Sequence, residues 1–481
     1  MRSHTIPAAL LCAGALIAPQ AAVAKTRYEA ELESRIAKLE AAMAELRASN
    51  ATVQAQQIAA AESARTASEA AASAQSSALA AASKSDATAA KVAALETAPP
   101  TEGMRDGNTT IKIGGYLKTV ASWSHFGDGA VTTNSLGRDF YLAQTIPIGG
   151  KSTTDTDFSA KQSRLWLNFA SNVAGHQVKG YLETDFQVNA EAAPSISGGG
   201  SQRTTNGYTL ALRRAYVSID RVLIGQEWSN FQNTAILPET TDYVGGAEGT
   251  VFVRQPQLRY TASLSKAASL SLAVENPESA TATLGSAALL ENGTDHLPDF
   301  TARLAMTGKL GELSLAGLVR QVRIEVAGND KTQNGYGVSA AGKLWLNATK
   351  TADARVMVTY GRDISRYVGL NFAPDAVYSP ATGKLENVTV FAALAAVHLP
   401  LSHQLRANLM GSYQHVDYSG NLPVASIATY NQWAFSLAAN LFYSPVKNVD
   451  VGIEYRHGER QLVSGASGSL DRLEFAAKYG F

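Results

Sequence analysis

Apolar and polar residues alternate along most of this chain, in runs of about ten residues that begin near residue 111. In one run Leu165, Leu167 and Phe169 alternate with Arg164, Trp166 and Asn168. A period of two is typical of strands with one apolar face and one polar face, and it differs from the 3.6-residue period of helices. The pattern therefore predicts a protein built mainly of half-buried β-strands.

The connections between these runs are of two kinds. Short turns occur near Lys309–Glu312 and Ser444–Asn448, whereas long stretches rich in Gly, Asn, Asp and Thr cover residues 279–296 and 369–386. An outer-membrane barrel has tight turns on one rim and long loops on the other, and a soluble sandwich has no reason for this asymmetry. At about 23 residues per strand and connection, residues 101–481 predict an all-β transmembrane β-barrel of about 16 antiparallel strands.

The last run strengthens this interpretation. Leu473, Phe475 and Tyr479 alternate with polar residues, and the chain ends in Phe481. A last strand that ends in Phe resembles the signal by which outer-membrane barrels reach their assembly machinery. In a soluble protein, a large ring on the most mobile residue would be hard to explain.

Residues 1–24 are predicted to be a secretory signal peptide. They contain Arg2, an apolar run over Ile6–Ala18 and the small-x-small cleavage site Ala22–Ala24. The single cysteine, Cys12, lies in this segment, so the exported chain is expected to use neither disulfides nor thiol chemistry.

Residues 25–100 follow a different period. Apolar residues recur in alternating steps of four and three, with Leu32, Leu39, Leu46 and Val53 at heptad position d and Ile36, Met43 and Asn50 at position a. Such a narrow seam is typical of an α-helical coiled coil that associates with other copies of itself. We therefore predict an N-terminal coiled-coil extension, an Ala-rich linker and a homo-oligomer. For the Ala-rich stretch beyond Val53, the alternative is a disordered low-complexity linker without a role in assembly.

Charge and apolar length exclude two classes of protein. The 41 Lys and Arg residues balance 41 Asp and Glu residues, which argues against nucleic acid as the main partner. No apolar run after residue 24 reaches the roughly 18 to 20 residues of a membrane helix.

The sequence shows no catalytic motif around its histidines. They fall in no HExxH or GxSxG setting, and we expect no enzyme activity and no cofactor.

Inward-facing positions can be assigned from strand parity, because lipid requires the outer face to be apolar. The arginines assigned to the lumen are Arg164, Arg259, Arg303, Arg355, Arg406 and Arg456. The alternation slips at Arg213 and Arg214, which predicts a bulge and leaves open which of the two points inward.

Carboxylates also fall on inward positions: Glu183, Asp185, Glu227, Glu275 and Glu454. Arginines on one side of the lumen and carboxylates on the other would create a transverse field that selects anionic solutes. In the alternative, arginines and carboxylates neutralise each other across neighbouring strands.

One long connection, Ser229–Gln257, is predicted to fold into the barrel, because a wide barrel that sieves solutes needs a narrowing. This would bring Glu239, Asp242, Glu248 and Arg254 near the constriction. A calcium site made of the three carboxylates is the alternative, although they lack the dense spacing of a calcium loop.

The order and spacing of several segments resemble those of the DcaP-like outer-membrane porins. These segments are IKIGGYLK (Ile111–Lys118), AKQSRLWLNF (Ala160–Phe169), LRRAYVSID (Leu212–Asp220), GQEWSNF (Gly225–Phe231), VRQPQLRYT (Val253–Thr261), VTYGRDISRYVG (Val358–Gly369) and NLFYSPVKNVDVGIEYRHGER (Asn440–Arg460). The resemblance implies a homotrimer of 16-stranded barrels in a Gram-negative outer membrane that takes up small anionic solutes, dicarboxylates above all. It also implies that Arg164, Arg214, Arg254, Arg259 and Arg303, which fall in family-like segments, are pore residues.

The leading hypothesis is therefore a diffusion porin for small hydrophilic, anionic solutes, with its N-terminal extension in the periplasm and outer-membrane lipid around the barrel. The candidate pore-lining residues are Arg164, Arg214, Arg254, Arg259, Arg303, Arg355, Arg406, Glu239 and Asp242. The alternatives are a non-conducting outer-membrane adhesin or structural anchor, and a barrel hydrolase.

Overall fold

The computed structural model describes residues 29, 31–41, 43, 45, 62, 65, 103–133, 135–188 and 205–481. The chain divides into two compact units at Thr101 and Glu102. The predicted signal peptide and cleavage site, and most of the Ala-rich linker, lie outside the described residues. Within the described part, none of the helices combines the length and apolarity needed to cross a membrane.

The described residues of the first unit contain a helix over residues 31–41. Its apolar side chains are exposed in the single chain, and Leu39 is the most open of them at 66%. Leu32, Ile36 and Met43 are 44% to 55% exposed. The helix is thus present where the heptads predicted one, and its pairing in a coiled coil stays a prediction.

The second unit, from Glu102 to Phe481, is almost entirely β-structure. Its strands are β1 (Met104–Asp106), β2 (Thr109–Phe126), β3 (Thr153–Ser159), β4 (Arg164–Val173), β5 (His176–Asp185), β6 (Ala211–Ile219), β7 (Val222–Trp228), β8 (Arg254–Ser263), β9 (Ala268–Glu275), β10 (Ala280–Thr283), β11 (Ser286–Glu291), β12 (Asp299–Thr307), β13 (Gly311–Val326), β14 (Asn329–Trp345), β15 (Asp353–Arg362), β16 (Ala376–Ser379), β17 (Lys384–Pro400), β18 (Leu405–Tyr418), β19 (Asn431–Tyr443), β20 (Val449–Leu462) and β21 (Ser467–Gly480). Short helices cover Leu136–Asp139, Ala143–Thr145, Thr234–Ile236, Ser365–Tyr367 and Val424–Ser426.

Antiparallel pairing closes these strands into a ring. The first long strand, β2, pairs with the last, β21, from Tyr116 opposite Gly480 to Phe126 opposite Leu470. Both β3 and β4 pair with β2, at its two ends, and together they form one interrupted strand of the wall. Counted this way the ring has 16 strands, and the predicted barrel is confirmed. The short strands β1, β10, β11 and β16 are additions to the ring.

The two rims differ as the sequence predicted. One rim has short turns such as Ala174–Gly175 and Asp220–Arg221, and these include residues with positive φ. The other rim has long connections, although the two-residue turn Ala327–Gly328 joins β13 to β14 there. The stretch near residues 279–296 forms the β10–β11 hairpin, which pairs through β10 with β16.

Side-chain exposure follows the alternation of the strands. On the outer face Leu165 is 45% exposed and Phe475 is 47% exposed, whereas the inward Arg456 and Arg472 are each 2% exposed. Phe481 also takes part in the ring, because its backbone exchanges two hydrogen bonds with Gly115. Apolar side chains outside and polar side chains inside are what a lipid-embedded barrel requires.

The hydrophobic core of this unit lies inside the barrel. Three connections fold inward, and we call them the first (127–152), second (229–253) and third (363–375) inward loops. The second and third loops share backbone hydrogen bonds, from Gly369 N–H to Thr250 O and from Phe252 N–H to Tyr367 O. Together the three loops form a plug, and its apolar side chains pack with inward residues of the barrel wall in two buried clusters.

Candidate functional site

The second inward loop crosses the lumen from β7 to the opposite side of the ring. There the carboxylate of Glu239 accepts two hydrogen bonds from Arg406, at 2.7 and 2.6 Å. The hydroxyl of Thr240 donates to Glu454 at 2.6 Å, and Lys118 Nζ donates to the carbonyl of Thr241 at 2.6 Å. The loop thus lies inside the barrel, as its length suggested, and is held by polar groups of β18, β20 and β2.

Asp242, a predicted pore residue, joins two loops. Its Oδ1 accepts a hydrogen bond from the backbone N–H of Tyr141 at 2.9 Å, and its Oδ2 accepts from Val244 and Gly245 at 3.1 and 2.9 Å. The side chain is buried, so it fixes the plug and does not face the lumen. Glu248, in turn, accepts from the hydroxyl of Ser412. The three carboxylates of the calcium alternative therefore bind three separate partners.

The first inward loop was not predicted to enter the barrel. Its Tyr141 and Ile146 are fully buried, and Arg472 donates to its Gly137 carbonyl at 2.6 Å. A signal for this existed in the sequence, because apolar residues 140–142 interrupt a long polar connection. Apolar residues in a loop indicate that the loop is covered, and here the covering groups are the other two loops.

Strands β4 to β6 carry a cluster of charged groups around Asp185. This carboxylate is fully buried and accepts hydrogen bonds from Arg164 at 2.8 Å, Arg213 at 2.7 Å and the phenol of Tyr243 at 2.8 Å. Burial raises the pKa of Tyr243, although the nearby guanidinium of Arg164 opposes this, so the phenol is a neutral donor. Asp185 thus occupies the position between two guanidinium groups that an anion would otherwise take.

The ambiguity at residues 213 and 214 is resolved by a bulge. The register of β5 and β6 shifts between Glu183 and Thr184, which is where the bulge was predicted. As a result both arginines point inward. Arg214 forms a bidentate pair with Glu227, with both distances 2.6 Å, and its guanidinium lies 4.3 Å from the ring centroid of Tyr181.

The other predicted arginines differ in their partners. Arg254 lies 3.7 Å over the ring of Trp228, and within the described part of the chain it has no carboxylate partner. Arg259 donates to the Trp228 carbonyl at 2.7 Å. Arg303 and Arg355 donate to carbonyls of the second inward loop, and Arg355 also pairs with Asp353 at 2.5 Å.

The charges do not segregate to opposite sides as a transverse field requires. Glu183, Asp185 and Glu227 lie on the same wall as Arg164 and Arg214, and each contacts an arginine. The pairing of carboxylates with arginines on the same wall has a simple cause. A buried carboxylate is stabilised by the nearest cation, and adjacent strands bring the two within hydrogen-bond reach.

A cavity of about 360 Å³ lies between the plug and this wall. Its lining residues are Leu136, Phe140, Gln187, Leu212, Arg213, Gln226, Tyr243, Val244, Phe252, Val253, Arg254, Arg366, Leu370 and Asn371. Three guanidinium groups therefore face it, and this set of described residues contains no carboxylate. Arg366 and Arg213 were missed in the candidate set. Arg366 comes from the third inward loop, and its buried Nη1 has no partner among the described residues.

Comparison with known proteins identifies the family. The model of the DcaP outer membrane protein family matches residues 89–481. The chain belongs to the DcaP outer membrane protein family. No curated protein matched the sequence.

A solved structure of a DcaP protein agrees with this membership. The outer membrane channel DcaP of Acinetobacter baumannii is 25% identical, with a TM-score of 0.65, and the match covers 79% of this chain and 100% of that chain. OmpT of Vibrio cholerae, an outer membrane protein, is 10% identical with a TM-score of 0.48 over 79% of this chain and 100% of its own. The family model and the DcaP structure together identify the chain as an outer-membrane β-barrel protein of the DcaP family.

Proposed function

We propose that this channel admits small hydrophilic anions of the dicarboxylate type by passive diffusion, and that they bind at the cavity lined by Arg213, Arg254 and Arg366. The observation that carries the proposal is the composition of this cavity. Three guanidinium groups line about 360 Å³, a volume suited to a small solute, and the described lining includes no carboxylate.

The pairing of the arginines supports the proposal. Arg254 is free of a carboxylate among the described residues, and its guanidinium is oriented by the Trp228 ring. A guanidinium matches a carboxylate in charge and in its planar, bidentate geometry. Most other arginines in the barrel already hold a carboxylate or a loop carbonyl. An anion is therefore attracted to an arginine that lacks such a partner among the described residues, as Arg254 does in this cavity. The overall neutrality of the chain does not oppose this local preference.

The remaining candidate residues have supporting roles in this proposal. Arg164 and Arg214 fix the wall beside the cavity, and Arg259 and Arg303 extend the basic surface along β8 and β12. Arg355, Arg406, Glu239 and Asp242 hold the second inward loop in place. They would therefore shape the passage rather than bind the solute.

We further propose that the protein works as a homotrimer in outer-membrane lipid, with its N-terminal extension in the periplasm. The exposed apolar seam of the helix at residues 31–41 supports this assembly, since Leu39 and its neighbours would be covered by other copies. The exposed apolar outer face of the barrel supports contact with lipid.

The experiment is a planar-bilayer measurement on purified protein under a salt gradient, with succinate added to one side. We expect an anion-selective reversal potential and block of the current by succinate, and both should weaken in Arg254→Gln. Arg221→Gln is the matched control. It removes the same charge from an exposed turn between β6 and β7, and Arg221 does not line the cavity. Cation selectivity, or succinate block that is equal in both variants and the wild type, would overturn the proposal.

A further inference from the structure

Tyr243 is a residue through which the second inward loop contacts strands β4 to β6, beside the cavity. Its hydroxyl donates to Asp185 at 2.8 Å and accepts from Arg164 Nη2 at 3.1 Å. The guanidinium groups of Arg164 and Arg213 each lie 5.5 Å from the centre of its ring. One side chain thus contacts two cations and one anion of the opposite wall.

The ring also contacts the first inward loop, because its centroid lies 5.2 Å from that of Phe140. The loop that carries Tyr243 is fixed on the far side of the barrel, through Glu239 to Arg406 and through Thr241 to Lys118. A bridge from the far side to the near wall divides the lumen at this level. Tyr243 is the last element of that bridge.

We infer that Tyr243 is a specificity-determining residue, which closes the direct passage between the second inward loop and strands β4 to β6. Solutes are then confined to the cavity beside Arg254. The inference rests on the proposed channel function but concerns a different property, namely which part of the lumen conducts.

The chemistry of the contact gives the filter its selectivity. The flat ring between Arg164 and Arg213 fills the place that the apolar part of an anionic solute would occupy, and Asp185 fills the place of its carboxylate. Arg164 and Arg213 both pair with Asp185, which stays in place without the ring. Removal of the ring would therefore open a second passage beside this charged group.

The experiment compares the single-channel conductance of Tyr243→Ala with that of the wild type. We expect an increase of at least about 1.5-fold in salt alone, because pore width limits conductance. Tyr243→Phe keeps the ring and is expected to stay close to the wild type. The control is Tyr360→Ala, which removes a ring from the outer face and should not change the conductance.

A cysteine variant covers the case in which the alanine variant does not fold. Cys12 is the only native cysteine and lies in the predicted signal peptide, so Tyr243→Cys introduces a unique thiol into the expected mature chain. We expect a raised conductance that falls again when a benzyl thiosulfonate reagent restores a ring, and that recovers after reduction. Wild-type conductance in both Tyr243→Ala and unmodified Tyr243→Cys would overturn the inference. Anion selectivity of the wild type is measured separately, so failure of the proposed function would be seen independently.

Discussion

Two walls of the same barrel use cations in different ways. On the wall formed by β18 to β21 and β2, which we call the anchor wall, Lys118, Arg406, Arg456 and Arg472 all donate to the inward loops or to buried carboxylates. On the wall formed by β4 to β8, the cavity wall, Arg254 has no carboxylate partner among the described residues. The same residue type therefore builds the plug on one side and remains available to a solute on the other.

The difference lies in which groups face the arginines. The anchor wall faces loop carbonyls and carboxylates, and Glu239 for example accepts two hydrogen bonds from Arg406. The cavity wall faces the rings of Trp228 and Phe252, which orient Arg254 without neutralising it. Under the proposed function, the partners of each arginine, and not the number of arginines, would decide anion selectivity.

The strongest test of the comparison is Arg456→Met on the anchor wall. Arg456 and Glu454 are each 2% exposed and 2.7 Å apart, so the substitution leaves a buried carboxylate without its cation. We expect the free energy of unfolding to fall by about 3 to 5 kcal/mol, measured by urea unfolding in detergent. The double variant Arg456→Met with Glu454→Gln should recover much of this loss. Equal destabilisation of the single and double variants would contradict the role of the pair.

Asp363 is a buried carboxyl group held mainly by neutral donors, and we expect it to make the stability of the protein depend on pH. Asp363 follows β15 and accepts hydrogen bonds from Val388 N–H and from Gln333, and Arg362 lies 3.8 Å away. Burial raises the pKa of Asp363 to about 6 from an ordinary value of 3.8. The folded protein thus binds this proton more tightly, so the contribution to stability is fully present below pH 3.8 and is lost as the pH rises through about 6.

The corresponding measurement is urea unfolding from pH 4 to pH 8. Asp363→Asn keeps an oxygen acceptor and tolerates the positive φ of this position, and it should remove about 2 kcal/mol of pH dependence. An unchanged pH profile in the variant would assign the dependence to other groups.

The smallest expected effect separates the two walls by function. Arg254→Gln should weaken succinate binding about tenfold, or about 1.4 kcal/mol, as measured by current block. Arg406→Gln removes the same charge from the anchor wall, where Arg406 holds Glu239 and Asp450. It should leave succinate affinity near the wild-type value while increasing current noise from the loosened loop. Equal loss of affinity in both variants would mean that the walls do not differ.

Much of the barrel could be predicted because strand periodicity is a local property. Parity placed Arg164, Arg303 and Arg456 inside the barrel, and the slip at Arg213 and Arg214 located a real bulge. Each of these inferences needs only the neighbouring residues and the requirement that lipid-facing side chains be apolar. Arg472 could have been found by the same rule, since it shares parity with the buried Glu474.

The plug could not be predicted in the same way, because its contacts join distant parts of the chain. The partner of Glu239 is Arg406, 167 residues away, and Asp242 binds the backbone of Tyr141 at a separation of 101 residues. Such pairs depend on loop paths that no local period encodes. The expectation of opposed charges was wrong for a different, local reason, because inward carboxylates pair with arginines of neighbouring strands.

The position of Lys118 and Arg472 has a consequence for the order of folding. These two residues lie on β2 and β21, the strands whose pairing closes the ring, and both donate to carbonyls of the inward loops. Complete docking of the inward loops therefore requires both the first and the last strand of the ring. We expect a chain without β21 to lack the contact from Arg472 to the first inward loop.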